Sequence, residues 1–252
     1  MVQDDVTGGD ERFPATRWSV IEAIRSDDVA ERRRALETLC EVYWKPVYKY
    51  VRLRWGRTAD DAQDLTQGFF VKLLERELVN RFDADKSRLR TYLRLCVDSF
   101  VMNEGKAAGR QKRGGEFQHL VLDFAGAEEE FCNSTIDAAA IASPESLEEF
   151  FEKEWVRSLF TLAVEDLRAL CTKTKRDRAF RFFEAYDLEG DDNISYTQLA
   201  EQYGVPVTKV TNTLAWTRRE FRTIALKRLH EICGSDDEFQ KEAKAAFGWD
   251  AR

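Results

Sequence analysis

Between Asp60 and Glu75 the chain reads DDAQDLTQGFFVKLLE. Leu65, Phe69 and Leu73 recur at four-residue steps and share one helical face, while Asp60, Asp64 and Gln67 share another. Thr58 followed by Asp61 gives this helix a capping-box start. The same 3.6-residue period predicts helices near 17–26, 29–54, 60–77, 87–108, 146–171, 175–186, 196–203, 207–231 and 236–246. With only four prolines in 252 residues, the expected fold class is all-α. Periodicity fades over about 109–145, where GRQKRGG runs into an acidic, Ala-rich stretch ending in Ser143-Pro144. The expected plan is therefore two helical domains, 14–113 and 146–231, joined by an acidic flexible linker over 114–145. A disordered N-terminus (1–13) and a short C-terminal tail (232–252) flank them.

The second domain contains ISYTQLAEQYGVPVTKVTNTLAWTRREF, Ile194 to Phe221. Ser195 and Gln198 form a capping box, Gly204 suits a left-handed helix stop, and Pro206 suits the next helix start. Tyr196, Leu199, Ala200 and Tyr203 give the first helix a buried side, and Val207, Val210, Leu214 and Phe221 do so for the second. A short helix, a glycine turn and a second helix make a helix-turn-helix, whose second helix reads duplex DNA in the major groove. Its outward positions are Thr208, Lys209, Thr211, Asn212, Ala215 and Arg219, with Arg218 and Arg222 extending the basic end. A helical hairpin with a solvated polar face is the plainer alternative; the basic end favours DNA.

Charge sharpens the picture. The net charge of −7 alone argues against a nucleic-acid binder. Its distribution does not: Lys86–Arg113 holds eight basic and two acidic residues, Asp123–Glu154 ten acidic and one basic, and Thr208–His230 six basic and one acidic. Two basic blocks flank an acidic one. In the first block, a loop (Phe82–Ser87) leads into a helix whose core stripe is Leu89, Leu93, Cys96 and Phe100. Arg88, Arg90, Arg94, Lys106 and Arg110 supply charge around Tyr92, a mixture that suits unstacked bases and their backbone. A core tyrosine beside snorkelling arginines is the competing reading, and for Tyr92 alone the better one.

Taken in order, DDAQDLTQGFFVKLLE, FDADKSRLRTYL, a basic helix end, an acidic linker and a helix-turn-helix resemble a bacterial RNA polymerase sigma factor. The two-domain plan is similar to the extracytoplasmic-function group, and FPATRWSV, NEGKAAGRQKRGG and FQKEAKAAFG resemble a branch with short extensions. The likeness covers about 13–247. It implies a chain that binds core RNA polymerase and directs promoter recognition and melting. Asp60, Asp61, Asp64 and Gln67 would meet arginines on the largest-subunit clamp. Asp83, Lys86, Arg88, Arg90, Tyr92, Asn103, Lys106 and Arg110 would hold the melted minus-ten strand. Thr208, Lys209, Thr211, Asn212, Ala215, Arg218, Arg219 and Arg222 would read the minus-thirty-five duplex while the second domain meets the polymerase flap. An anti-sigma factor or other regulator is a further possible partner. The chain departs from the family at Thr213 and Trp216, where Arg is frequent, and at Asp98-Ser99, where many members have Arg-Asn.

Other classes fare worse. A stand-alone helix-turn-helix regulator leaves the acidic face of 60–67 idle. An enzyme lacks its chemistry: His119 and His230 have no partners at metal-ligand spacing, and no phosphate loop or nucleophile elbow occurs. No cofactor and no metal are expected. Asp187–Gln198 imitates a calcium loop but has Asp192 where Gly belongs and Gln198 where a bidentate Glu belongs. Five scattered cysteines without CxxC, an acidic N-terminus and no long apolar run fit a cytoplasmic protein without signal peptide or membrane span.

Overall fold

Leu36, Cys40, Tyr43, Val47 and Tyr50 follow one another at three- and four-residue steps along α2, Val29–Trp55, and every one is buried. At 27 residues this helix is about 40 Å long. Asp28 caps its start, accepting from the backbone N–H of Ala30 at 2.8 Å and Glu31 at 3.2 Å, and Gly56 ends it at φ 55°. The computed structural model describes residues 20–74, 77–106, 122–134, 141, 143–189 and 194–250, with backbone alone at 74, 77, 105 and 106.

Ten further α-helices are described, only some of which pack directly on α2. They are α1 (Val20–Arg25), α3 (Ala59–Leu74), α4 (Glu77–Asn80), α5 (Leu89–Lys106), α6 (Phe124–Asn133), α7 (Pro144–Lys173), α8 (Asp177–Phe183), α9 (Tyr196–Tyr203), α10 (Val207–Ile232) and α11 (Asp236–Phe247). A π-helical turn, Glu184–Leu188, extends α8. The described residues are helical and contain no strand, so the fold is all-α.

The 30-residue α7 organises the packing. Ser143 and Ser146 close a capping box at its start. Its first half sets Leu147, Phe150, Phe151, Trp155 and Leu159 against α2, and its second half sets Ala163, Leu167 and Cys171 against Phe180, Phe183, Phe221 and Ala225 of α8 and α10. Leu226, Leu229 and Ile232 of α10, then Phe239 and Ala243 of α11, return to the first cluster. A smaller cluster of Phe182, Leu199, Ala200, Val210 and Leu214 holds the helix-turn-helix together.

Each predicted helix overlaps an observed one. Two differences are physical. The predicted linker contains α6, which the pattern missed because its stabilisers are cations on α2 rather than its own composition. And the core is not divided at 114–145: α7, assigned to the second domain, joins the first-domain core through an uninterrupted apolar face. The basic run at 107–121 lies outside the described residues. Among those described, no helix is long and apolar enough to cross a membrane.

Candidate functional site

On α3, Asp60, Asp61, Asp64 and Gln67 are exposed, while Ala62, Thr66, Phe69, Phe70 and Leu73 are buried. Thr58 Oγ1 accepts from the Asp61 N–H at 3.2 Å, fixing the first turn. Gly68 admits α5 closely: a Cβ there would lie 3.1 Å from the Phe100 ring. The structure gathers the four sequence-predicted docking residues on one solvated face, where the three aspartates form no ion pair with a described residue.

The loop and α5 look different from their sequence reading. Asp83 accepts from the Asp85 N–H at 3.1 Å and pairs with Lys86 at 2.7 Å, and both are open to solvent. Asn103 is exposed. Arg90 is not: it is 5% exposed, lies 5.1 Å over the Trp155 ring, and pairs with Glu242 and, at 2.8 Å, Glu152. Tyr92 packs 5.3 Å from the Phe82 ring and donates to the Leu78 carbonyl at 2.5 Å. Arg90 is claimed by two carboxylates and a ring distant in sequence, whereas Tyr92 is held by Phe82 and Leu78, ten and fourteen residues earlier, as the core-tyrosine reading has it. Arg88 stays 44% exposed, with Nε 3.4 Å from Glu242 Oε1. Arg110 and the side chain of Lys106 lie outside the described residues.

Carboxylates of α7 and α11 cover the start of α5. Glu148 accepts from Thr91 and Arg94, each at 2.7 Å. Glu238 Oε1 accepts from the Leu89 N–H at 2.7 Å, and its other oxygen from the Gly234 N–H at 2.7 Å. Burial pushes the Glu242 carboxyl above its ordinary range, and the Arg90 and Arg88 charges only partly offset that. Asp98 accepts from Tyr50 at 3.0 Å and Arg94 at 3.3 Å, so its carboxylate has an internal role. Sequence reasoning also missed that Leu95, Ser99 and Met102 form an exposed stripe on α5.

A second set of ion pairs docks α6 on α2. Glu128 takes both ends of Arg52, at 2.6 and 2.9 Å, and the Tyr48 hydroxyl at 2.7 Å. Glu130 bridges Lys45 and Lys49 at 2.8 Å each, and Lys49 also reaches Glu154 at 2.8 Å.

The helix-turn-helix matches its sequence signals. Gln198 Oε1 accepts from the Ser195 N–H at 2.6 Å and Ser195 Oγ from the Gln198 N–H at 3.2 Å; Gly204 turns at φ 60°. Along α10, Thr208, Lys209, Thr211, Asn212, Ala215 and Arg219 are exposed over buried Val210 and Leu214. Val207, expected in the core, is 41% exposed, because the chain is still entering the helix there. Arg218 is held by Asp187 at 2.8 Å and the Tyr196 hydroxyl at 3.1 Å. Arg222 lies 5.6 Å over the Trp249 ring and donates to the Asp250 carbonyl at 2.8 Å. Beside the start of α10, Arg176, Arg178, Lys209, Asn212 and Trp216 line an open groove of about 420 Å³, with Arg176 only 4.4 Å over Trp216. The two arginines precede α10 by some thirty residues; the cluster KTKRDR (173–178) was the available signal.

Residues 190–193 of the calcium-like loop, and His119, lie outside the described residues, while Ser195 and Gln198 are used as a cap. His230 packs edge-on to Phe239 at 4.9 Å. No group of three or more His, Cys, Asp or Glu among the described residues is arranged to hold a metal ion. No protein-family model, curated protein or solved structure matches the chain.

Proposed function

We propose that this chain is a sigma factor of the extracytoplasmic-function type, which binds core RNA polymerase and brings it to promoters for transcription initiation. The observation that carries this reading is the acidic face of α3. Three aspartates and a glutamine stand in solvent on a helix whose other face is core, on the same chain as an exposed recognition helix. A solvated acidic face without ion-pair partners among the described residues fits a basic partner surface, here the polymerase clamp. In this reading residues 14–113 serve docking and the minus-ten strand, and 146–231 serve the minus-thirty-five duplex and the flap. The chain works in the cytoplasm without cofactor or catalysis of its own. Lys209 and Asn212 face base edges, and Arg219 faces phosphate.

The test is charge reversal. Asp60→Lys with Asp64→Lys weakens binding to core polymerase at least tenfold and abolishes run-off transcription, with helical content unchanged because both positions face water. Unchanged polymerase affinity in a folded variant removes the docking claim. It then favours a stand-alone helix-turn-helix regulator, which needs the recognition helix but not α3.

A further inference from the structure

We propose that the C-terminal segment 233–250 is an internal occupant of the nucleic-acid faces, its α11 carboxylates standing where strand phosphates bind at the start of α5, and that it must leave before DNA is held there. The proposal rests on the sigma-type reading, which assigns those faces to DNA.

Two separate contacts carry it. At one end of the segment, Glu238 takes the free N–H of Leu89 at the start of α5, and Glu242 takes Arg90 and approaches Arg88. A backbone N–H at a helix N-terminus flanked by two guanidiniums is chemistry that binds a phosphate oxygen as readily as a carboxylate. At the other end, Trp249 and the Asp250 carbonyl hold Arg222, on the basic end of the recognition helix. One short segment thus covers cations on both candidate faces.

The segment is also built to be released. The other carboxylates over α5, Glu148 and Glu152, belong to α7, which is anchored in the core by Phe150, Phe151, Trp155 and Leu159. By contrast, α11 fully buries only Phe239 and Ala243 in that core; Ala246 and Phe247 pack against it half-buried, and its hold on α5 is by charge. Glu242 Oε1 is buried without a hydrogen-bond partner, so docking leaves a desolvated carboxylate oxygen incompletely satisfied. The link from α10 is short and passes through Gly234, whose backbone lies against Phe82 and Ala84; a Cβ at 234 would stand 3.0 Å from the Phe82 ring and 3.4 Å from Ala84 Cβ.

That proximity supplies the test. In the full chain with Cys132→Ser, Ala84→Cys and Gly234→Cys place two thiols at bridging distance, so oxidation locks the segment down and reduction frees it. Fluorescence anisotropy with a single-stranded minus-ten oligonucleotide, in the presence of core polymerase, reads the outcome. The oxidised form binds at least tenfold more weakly than the reduced form. Glu238→Gln with Glu242→Gln binds at least tenfold more tightly than the unsubstituted chain, with faster hydrogen exchange across 236–247 and unchanged protection in α2. Equal binding by locked and reduced forms, or no gain in the glutamine variant, overturns the gate. If Arg88→Ala still weakens binding in that case, the strand face survives without its gate. Strand binding by none of these forms refutes the strand face and the gate together.

Discussion

Glu128 accepts from both sides of the Arg52 guanidinium, and that contact, ahead of the Tyr48 and Cys132 hydrogen bonds, holds its carboxyl down from the ordinary 4.5 to about 2 against the opposing effect of burial. Glu130 beside it is also lowered: burial works against the charge, but Lys45 and Lys49 outweigh it. A depressed carboxyl stabilises the docked state above its unfolded value, and that contribution disappears as pH falls through the folded one. So α6 stays docked down to about pH 4.5 and lets go between there and about 2. Side-chain carbon NMR of Glu128 shows the low midpoint, and a midpoint near 4.5 would mean that the Arg52 pair does not form in solution. In the proposed function, single residues on α10 separate two roles in the same way. Asn212→Ala relaxes preference at one promoter position by about 1–3 kcal/mol, the size of a bidentate base contact. Arg219→Ala weakens all sequences alike and lowers the salt dependence by about one charge; binding titrations over a panel of promoters and salt concentrations tell the two apart. At this scale the sequence was readable where a side chain's surroundings are local. The exposure of Asp60, Asp64, Lys209 and Asn212 follows from periodicity alone. Arg90 was not readable, because Glu242, 152 residues away, decides that it is buried.

Elements show the same division. The first helix of the helix-turn-helix carries its own start and stop: Ser195 and Gln198 cap each other, and Gly204 takes a left-handed turn. Every signal lies within ten residues, so the motif is legible. Helix α6 has no such signals beyond Asp123 as its N-cap and forms where α2 presents Lys45, Lys49 and Arg52. An isolated ten-residue helix is marginal in water, which is why pattern reading made this stretch a linker. The two kinds of element respond differently to substitution. Gly204→Ala meets no atom within 4 Å, so its cost is the backbone penalty alone, about 1–2 kcal/mol. It lowers the urea midpoint without altering the base preference that the proposed function gives α10; a changed preference would mean that the turn also aims that helix. Arg52→Ala, by contrast, releases α6 while leaving α2 intact, seen as rapid amide exchange confined to 124–133. Slow exchange there would show that the Trp44 and Tyr48 ring contacts with Phe124 are enough to hold it.

For the molecule as a whole the governing element is α7. Its apolar residues face α2 in the first half and α8 and α10 in the second, and the helix is uninterrupted over 30 residues. The sequence suggested a boundary because charge and glycine mark 109–145, but a boundary in composition is not a boundary in packing. What joins the halves is an apolar face whose partners lie a hundred residues earlier, on α2. A core shared in this way unfolds as one unit. Leu159, 1% exposed and midway along α7, tests this. Leu159→Ala removes about 2–5 kcal/mol. With fluorine-labelled tryptophan, the Trp44 signal from the α2 side and the Trp216 signal from the helix-turn-helix lose native structure at one urea concentration, and both shift by the same amount in the variant. If Trp216 keeps its wild-type midpoint while Trp44 shifts, the helix-turn-helix is a separate cooperative unit. In the proposed function, a DNA-bound form in which the two halves part then needs only a hinge within α7. If the two move together, opening the chain on polymerase must draw on binding energy from the α3 face to part a common core, and polymerase contact would precede promoter contact for energetic reasons.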